Sequence, residues 1–116
     1  MKDRLEVIKA RYDQISKDLL DINIVSDIKK MTALSKEQRS LEKTVEKYQA
    51  LLACEKNISE LKELVHDSDP DIREMAEMEL AEANELLNKL TEEIKILLIP
   101  NFHNNILFIV RIFRDK

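Results

Sequence analysis

Apolar residues recur at steps of three and four positions along most of this chain, a spacing that places their side chains on one face of an α-helix. The first run predicts a helix over about residues 3–22, which ends where Asp21 and Asn23 lower the helix propensity. The apolar positions of this run are Leu5, Ile8, Tyr12, Ile15, Leu19 and Ile22.

Two helix-start signals follow close together. Ser26 and Asp27 can start a short second helix over about residues 27–33, since such side chains accept hydrogen bonds from the backbone N–H groups of a first helical turn. Ser35 and Gln38 have the spacing of a capping box, in which each side chain binds the backbone N–H of the other residue. The pattern therefore predicts a corner near Ser35.

Two long helices are predicted after this corner. The first covers about residues 36–65 and carries two apolar lines offset by one residue, an offset that indicates a local change of winding. The second covers about residues 70–98, with Asp69 as N-cap and Pro70 at the first helical position. A short connection between two long helices predicts an antiparallel hairpin. The two lines are Leu41, Val45, Tyr48 and Leu52, and then Leu51, Cys54, Ile58, Leu61 and Val65.

The last residues differ in kind from the rest. Pro100 ends the helical pattern, and residues 106–113 are a β-branched and aromatic run of strand length. We divide the chain into a helical domain over residues 1–100 and a loop with a strand-like remnant of a second domain over residues 101–116. The predicted fold class is all-α, an elongated antiparallel helical hairpin or bundle with coiled-coil-like packing and a short C-terminal strand.

The composition is typical of long helices and excludes some classes of binding partner. The chain has no Gly, 36% charged residues and only 4% aromatic residues. Its net charge of −4 comes from many charges of both signs, so we expect neither a direct nucleic-acid site nor membrane binding. A single cysteine and a mixed-charge N-terminus without an apolar leader indicate the cytoplasm.

Residues that hold metals or move protons are few and scattered. His66, His103 and Cys54 are far apart in the sequence, and Cys54 lies on an apolar line, which favours a buried thiol over a reactive one. A phosphate-binding loop needs Gly, and the chain has none. We therefore predict no catalytic residue, no cofactor and no metal site.

Charged side chains are the remaining candidates for function. A carboxylate-rich face around residues 74–85 is either an acidic docking surface or a solvated helix face. Exposed residues at the corner and at the hairpin tip are a candidate docking surface. They are Lys29, Lys30, Lys36, Asp67 and Asp69.

Four segments carry a likeness to a known family: residues 5–20 with Arg11-Tyr12, residues 25–31, residues 34–38 with Leu41-Glu42, and residues 97–100. Through these segments, residues 1–100 resemble the N-terminal helical domain of bacterial class I peptide chain release factors, in the branch that reads the stop codons UAA and UAG. The branch that reads UGA typically carries a Trp in this region, and this chain has no Trp. Residues 105–111 also resemble the first strand of the family's next domain, although Ile109 and the residues after Arg111 depart from its pattern.

This resemblance implies a monomeric domain that docks near the ribosomal stalk base and on the GTPase that recycles the factor. The family's Gly-Gly-Gln loop, which positions water at the ester bond, and its codon-reading Pro-x-Thr tripeptide do not occur in these 116 residues. We therefore expect a truncated factor that is not an enzyme by itself. The alternative is a coiled-coil adaptor or assembly module, because partners within and between chains use the same heptad positions.

Overall fold

The computed structural model describes residues 1–99, and these form four helices. The predicted all-α class is confirmed, and the molecule is elongated, with extents of 61 × 52 × 20 Å. The predicted strand and the domain boundary at residue 100 lie outside the described residues. The helices are α1 (Lys2–Asp18), α2 (Ile22–Val25), α3 (Ile28–Leu64) and α4 (Pro70–Leu97).

The helices α3 and α4 form a long hairpin. The Asp69 side chain accepts a hydrogen bond from the Asp71 N–H at 2.9 Å and Pro70 follows it at the start of α4, as the sequence predicts. An apolar interface between the two helices supplies most of the hairpin's stability, because burying apolar area is the main driving force of packing. Its fully buried members are Leu51, Cys54, Ile58 and Leu61 of α3 with Ala76, Ala83, Leu90 and Ile94 of α4.

The helix α1 packs on α3 and reaches the end of α4. Leu5 is 1% exposed and belongs to the same apolar core as the hairpin. The Arg4 guanidinium donates a hydrogen bond to the carbonyl oxygen of Leu98 at 2.8 Å, just beyond the last turn of α4. The contacts of α1 therefore lie toward the open end of the hairpin, away from the turn that joins α3 to α4.

The helix α3 runs through residue 35 without a break, so the separate short helix over residues 27–33 and the corner at Ser35 are wrong. Asp27 caps this single helix by accepting from two backbone N–H groups of its first turn. The Gln38 side chain does not bind the backbone N–H of Ser35. Its Nε2 instead donates a hydrogen bond to the hydroxyl of Ser16 in α1 at 2.6 Å. No Pro or Gly interrupts this part of the chain, so only the unused capping box favoured a stop there.

The helix α1 is shorter than predicted, and a separate short helix, α2, follows it at Ile22–Val25. Asp21 caps α2 by accepting from the backbone N–H of Asn23 at 2.9 Å. A carboxylate that binds a nearby backbone N–H competes with continued helix, and α1 therefore stops at Asp18. Ile22, which the pattern places on the apolar stripe of α1, is consequently 77% exposed.

Two residues of α3, one from each apolar line, bind two different helices. Tyr48, on the first line, donates its hydroxyl proton to the Glu6 carboxylate of α1. Cys54, on the second line, donates from its thiol to the carbonyl oxygen of Ala83 in α4 at 3.3 Å. The one-residue offset between the lines therefore lets α3 contact α1 and α4 at once. The sequence pattern predicts instead a change of winding that keeps the apolar face of α3 toward a single partner.

Candidate docking surfaces

The five candidate docking residues lie at opposite ends of α3. Lys29, Lys30 and Lys36 are exposed near its start, whereas Asp67 and Asp69 follow its end. A helix rises about 1.5 Å per residue, so roughly 40–50 Å separates the two groups. They form two surfaces, which we name the corner surface, with the three lysines, and the tip surface, with the two aspartates.

The corner surface borders an open groove of about 430 Å³ between α1, α2 and α3. Lys30 lines this groove, together with apolar side chains such as Ile24. One wall is an ion pair in which the Arg11 guanidinium donates two hydrogen bonds to the Glu37 carboxylate, one of them from Nη2 to Oε1 at 2.8 Å. This pairing lowers the pKa of Glu37 and raises the pKa of Arg11. An ion pair between α1 and α3 therefore forms part of the lining of this groove.

The tip surface consists of carboxylates that already hold the turn together. The Asp67 side chain accepts from the Asp69 N–H at 2.9 Å, and Asp69 caps α4. The Arg73 guanidinium donates to the carbonyl oxygens of Asp67 at 2.7 Å and Ser68 at 3.2 Å. Both aspartates thus have a local structural role, which sequence reasoning predicts for Asp69 and misses for Asp67.

Exposed apolar side chains are functional candidates that sequence reasoning missed. Leu20 and Ile28 are 86% and 74% exposed beside α2. Met75, Met78 and Leu86 are 49%, 64% and 48% exposed along α4. A signal for the α4 residues was present, because these three positions lie off the apolar stripe of that helix. The stripe consists of Ile72, Ala76, Leu80, Ala83, Leu87, Leu90, Ile94 and Leu97.

Residues 1–99 contain no cluster of three or more His, Cys, Asp or Glu side chains that could hold a metal ion. Cys54 is a free, buried thiol, as predicted. Within the same residues, no helix combines the length and the apolar character needed to cross a membrane.

The contact between Tyr48 and Glu6 predicts a pH dependence of stability. The hydrogen bond to Glu6 and burial raise the pKa of Tyr48 to about 12. An unfolded tyrosine has a pKa of about 10, so this stabilisation is complete below about pH 10 and is lost as the pH rises through about 12. We expect the free energy of unfolding, measured with urea, to fall over this range, and to fall less in Tyr48→Phe. An equal fall in both proteins would contradict the assignment.

The fold and its surfaces define an all-α hairpin domain with open charged and apolar grooves. The family model described as PCRF domain matches residues 8–112, and the chain belongs to this family. The resemblance to the helical domain of release factors is thereby confirmed, and curated relatives named peptide chain release factor 1 agree with it.

These relatives are much longer than the chain. The protein of Flavobacterium psychrophilum is 44% identical over 101 residues, which is 86% of this chain and 28% of that protein. The Campylobacter lari protein is 44% identical over 105 residues, which is 90% of this chain and 29% of that protein. The Bacillus licheniformis protein is 38% identical over 106 residues, which is 90% of this chain and 30% of that protein. The chain thus spans less than a third of each relative, and no solved structure matches it.

Proposed function

We propose that this chain acts in translation termination in the cytoplasm, as the helical docking domain of a release factor that reads UAA and UAG. The observation that carries the proposal is the 44% identity over 101 residues with a relative named peptide chain release factor 1. An elongated hairpin with exposed charges at both ends suits a domain that contacts large partners.

The proposed partners are the ribosome near its stalk base and the GTPase that recycles the factor. The corner surface and the tip surface are roughly 40–50 Å apart along α3, which suits two separate contacts. The domain contributes docking and not hydrolysis, because these 116 residues contain neither a Gly-Gly-Gln loop nor a Pro-x-Thr tripeptide.

A competition experiment on ribosomes with a stop codon in place tests the proposal. The 116-residue chain alone should release no peptide, whereas in excess it should slow release by the intact Flavobacterium psychrophilum relative. Reversing the charges of the corner surface in Lys29→Glu/Lys30→Glu/Lys36→Glu should weaken this competition about tenfold, because opposite charges guide docking.

The matched control reverses three exposed lysines that belong to neither surface, Lys56→Glu/Lys89→Glu/Lys95→Glu, and should change the competition by less than about twofold. Peptide release by the chain alone would contradict the non-enzymatic role. Absence of competition would contradict docking on the ribosome.

The adaptor alternative makes a different prediction about oligomeric state. The heptad positions that a coiled coil would offer to another chain are used within this one, since Leu51, Ile58 and Leu61 pack in the core that α3 shares with α4. We therefore expect a monomer whose mass, measured by size-exclusion chromatography with light scattering, does not change with concentration. A stable dimer would favour the adaptor instead.

A further inference from the structure

A third surface follows one flank of α4 and is separate from the corner surface and the tip surface. An open groove of about 510 Å³ runs along this flank. It adjoins a groove of about 540 Å³ between α3 and α4, and both share Glu79 and Glu82 as lining residues. We name this continuous surface, from Asp71 to Leu86, the acidic groove.

The floor of the acidic groove is made of small side chains. Ala50 and Ala53 of α3 line it, together with Ala83 of α4. Around α3, at about 100° per residue, Ala50 and Ala53 lie roughly opposite Tyr48, which faces α1. The acidic groove therefore lies on the side of the hairpin away from α1, and its length of about 23 Å equals roughly four helical turns.

The walls of the acidic groove combine flexible apolar groups with negative charge. Met75 and Met78 are 49% and 64% exposed, and methionine side chains adapt to varied apolar partners. The carboxylates beside them, on Asp71, Glu74, Glu79 and Glu82, take part in none of the ion pairs within residues 1–99. An exposed apolar patch rimmed by polar groups of one sign is typical of a protein interaction site.

We propose that the acidic groove binds a basic amphipathic helix of another protein. The apolar face of such a helix would cover Met75, Met78 and Leu86, while its Lys or Arg side chains pair with the carboxylates on the rim. A second copy of this chain would bring the same negative charges, and nucleic acid would bring phosphates, so both are disfavoured by repulsion. The inference does not depend on the proposed role in termination.

A designed peptide tests the acidic groove directly. The probe is a fluorescent helix of about four turns, built only of Leu and Lys with Leu on one face, and its control is a scrambled peptide of the same composition. Binding to the 116-residue chain is followed by fluorescence anisotropy. Glu74→Lys/Glu82→Lys should weaken binding of the amphipathic peptide at least about tenfold, and Met75→Ser/Met78→Ser at least about fivefold.

The matched control is Glu77→Lys/Glu85→Lys, which makes the same change in net charge at exposed residues of α4 that do not line the groove. It should weaken binding by less than about threefold. Equal losses in the two charge-reversed variants, or equally tight binding of the scrambled peptide, would overturn the proposal, because either result indicates general attraction to a negative protein.

Methionine methyl resonances locate the bound peptide. The chain has four methionines, of which Met75 and Met78 line the acidic groove while Met1 and Met31 do not. The peptide should shift the methyl signals of Met75 and Met78 and leave the other two unchanged. Shifts at Met1 or Met31 of the same size would place the peptide elsewhere and overturn the proposal, as would a dimer that dissociates in Met75→Ser/Met78→Ser.

Discussion

Lys36→Pro should lower the free energy of unfolding by about 3 kcal/mol or more, because residue 36 lies inside α3. Proline removes a backbone hydrogen bond there, and its ring clashes with the carbonyl group one turn earlier. If a helix began after a cap at Ser35, the same proline would occupy the first helical position, where it is tolerated. Urea denaturation followed by far-ultraviolet circular dichroism measures the difference.

Ile28→Pro is the matched control, because Ile28 is the first residue of α3 and is 74% exposed. Its N-cap Asp27 has extended backbone angles, φ −98° and ψ 103°, which a following proline requires. We expect a change of less than about 1 kcal/mol from this substitution. If Lys36→Pro were equally mild, a single continuous α3 would be contradicted.

Ile94→Ala should lower the free energy of unfolding by about 2–4 kcal/mol. Ile94 is 0% exposed and belongs to the core that α4 shares with α3 and α1. Truncation removes buried methyl and methylene groups and leaves a cavity that the surrounding helices only partly fill. A domain of this size has a total stability of roughly 5–15 kcal/mol, so the loss should be evident as a lower urea midpoint.

Ile96→Ala makes the same chemical change two residues later on α4, where the side chain is 46% exposed. Both substitutions exchange the same residue types in the same helix, so their effects on helix propensity nearly cancel in the comparison. We expect Ile96→Ala to cost less than about 1 kcal/mol. Equal losses at the two positions would show that the last turns of α4 are not packed as described.

Much of the fold could be predicted because its signals are local. The hairpin follows from apolar periodicity and from Asp69 and Pro70, whose capping chemistry involves only neighbouring residues. The exposure of Lys29, Lys30 and Lys36 follows equally from charge patterning. The acidic groove was not predicted: an acidic docking surface was one of two interpretations of the carboxylate-rich face, and sequence alone does not show which apolar side chains remain uncovered beside it.

The sequence by itself determined the helical class, the turn between α3 and α4, and membership of the family. The tertiary structure decided the course of the chain around residue 35. There Gln38 binds Ser16 of α1, and the helix α3 continues without a break. It also decided that Tyr48 and Cys54, which lie on different apolar lines of α3, bind α1 and α4 respectively. The physical reason is that a capping box contributes about 1 kcal/mol within one turn, whereas contacts between helices distant in sequence exist only after the chain has folded.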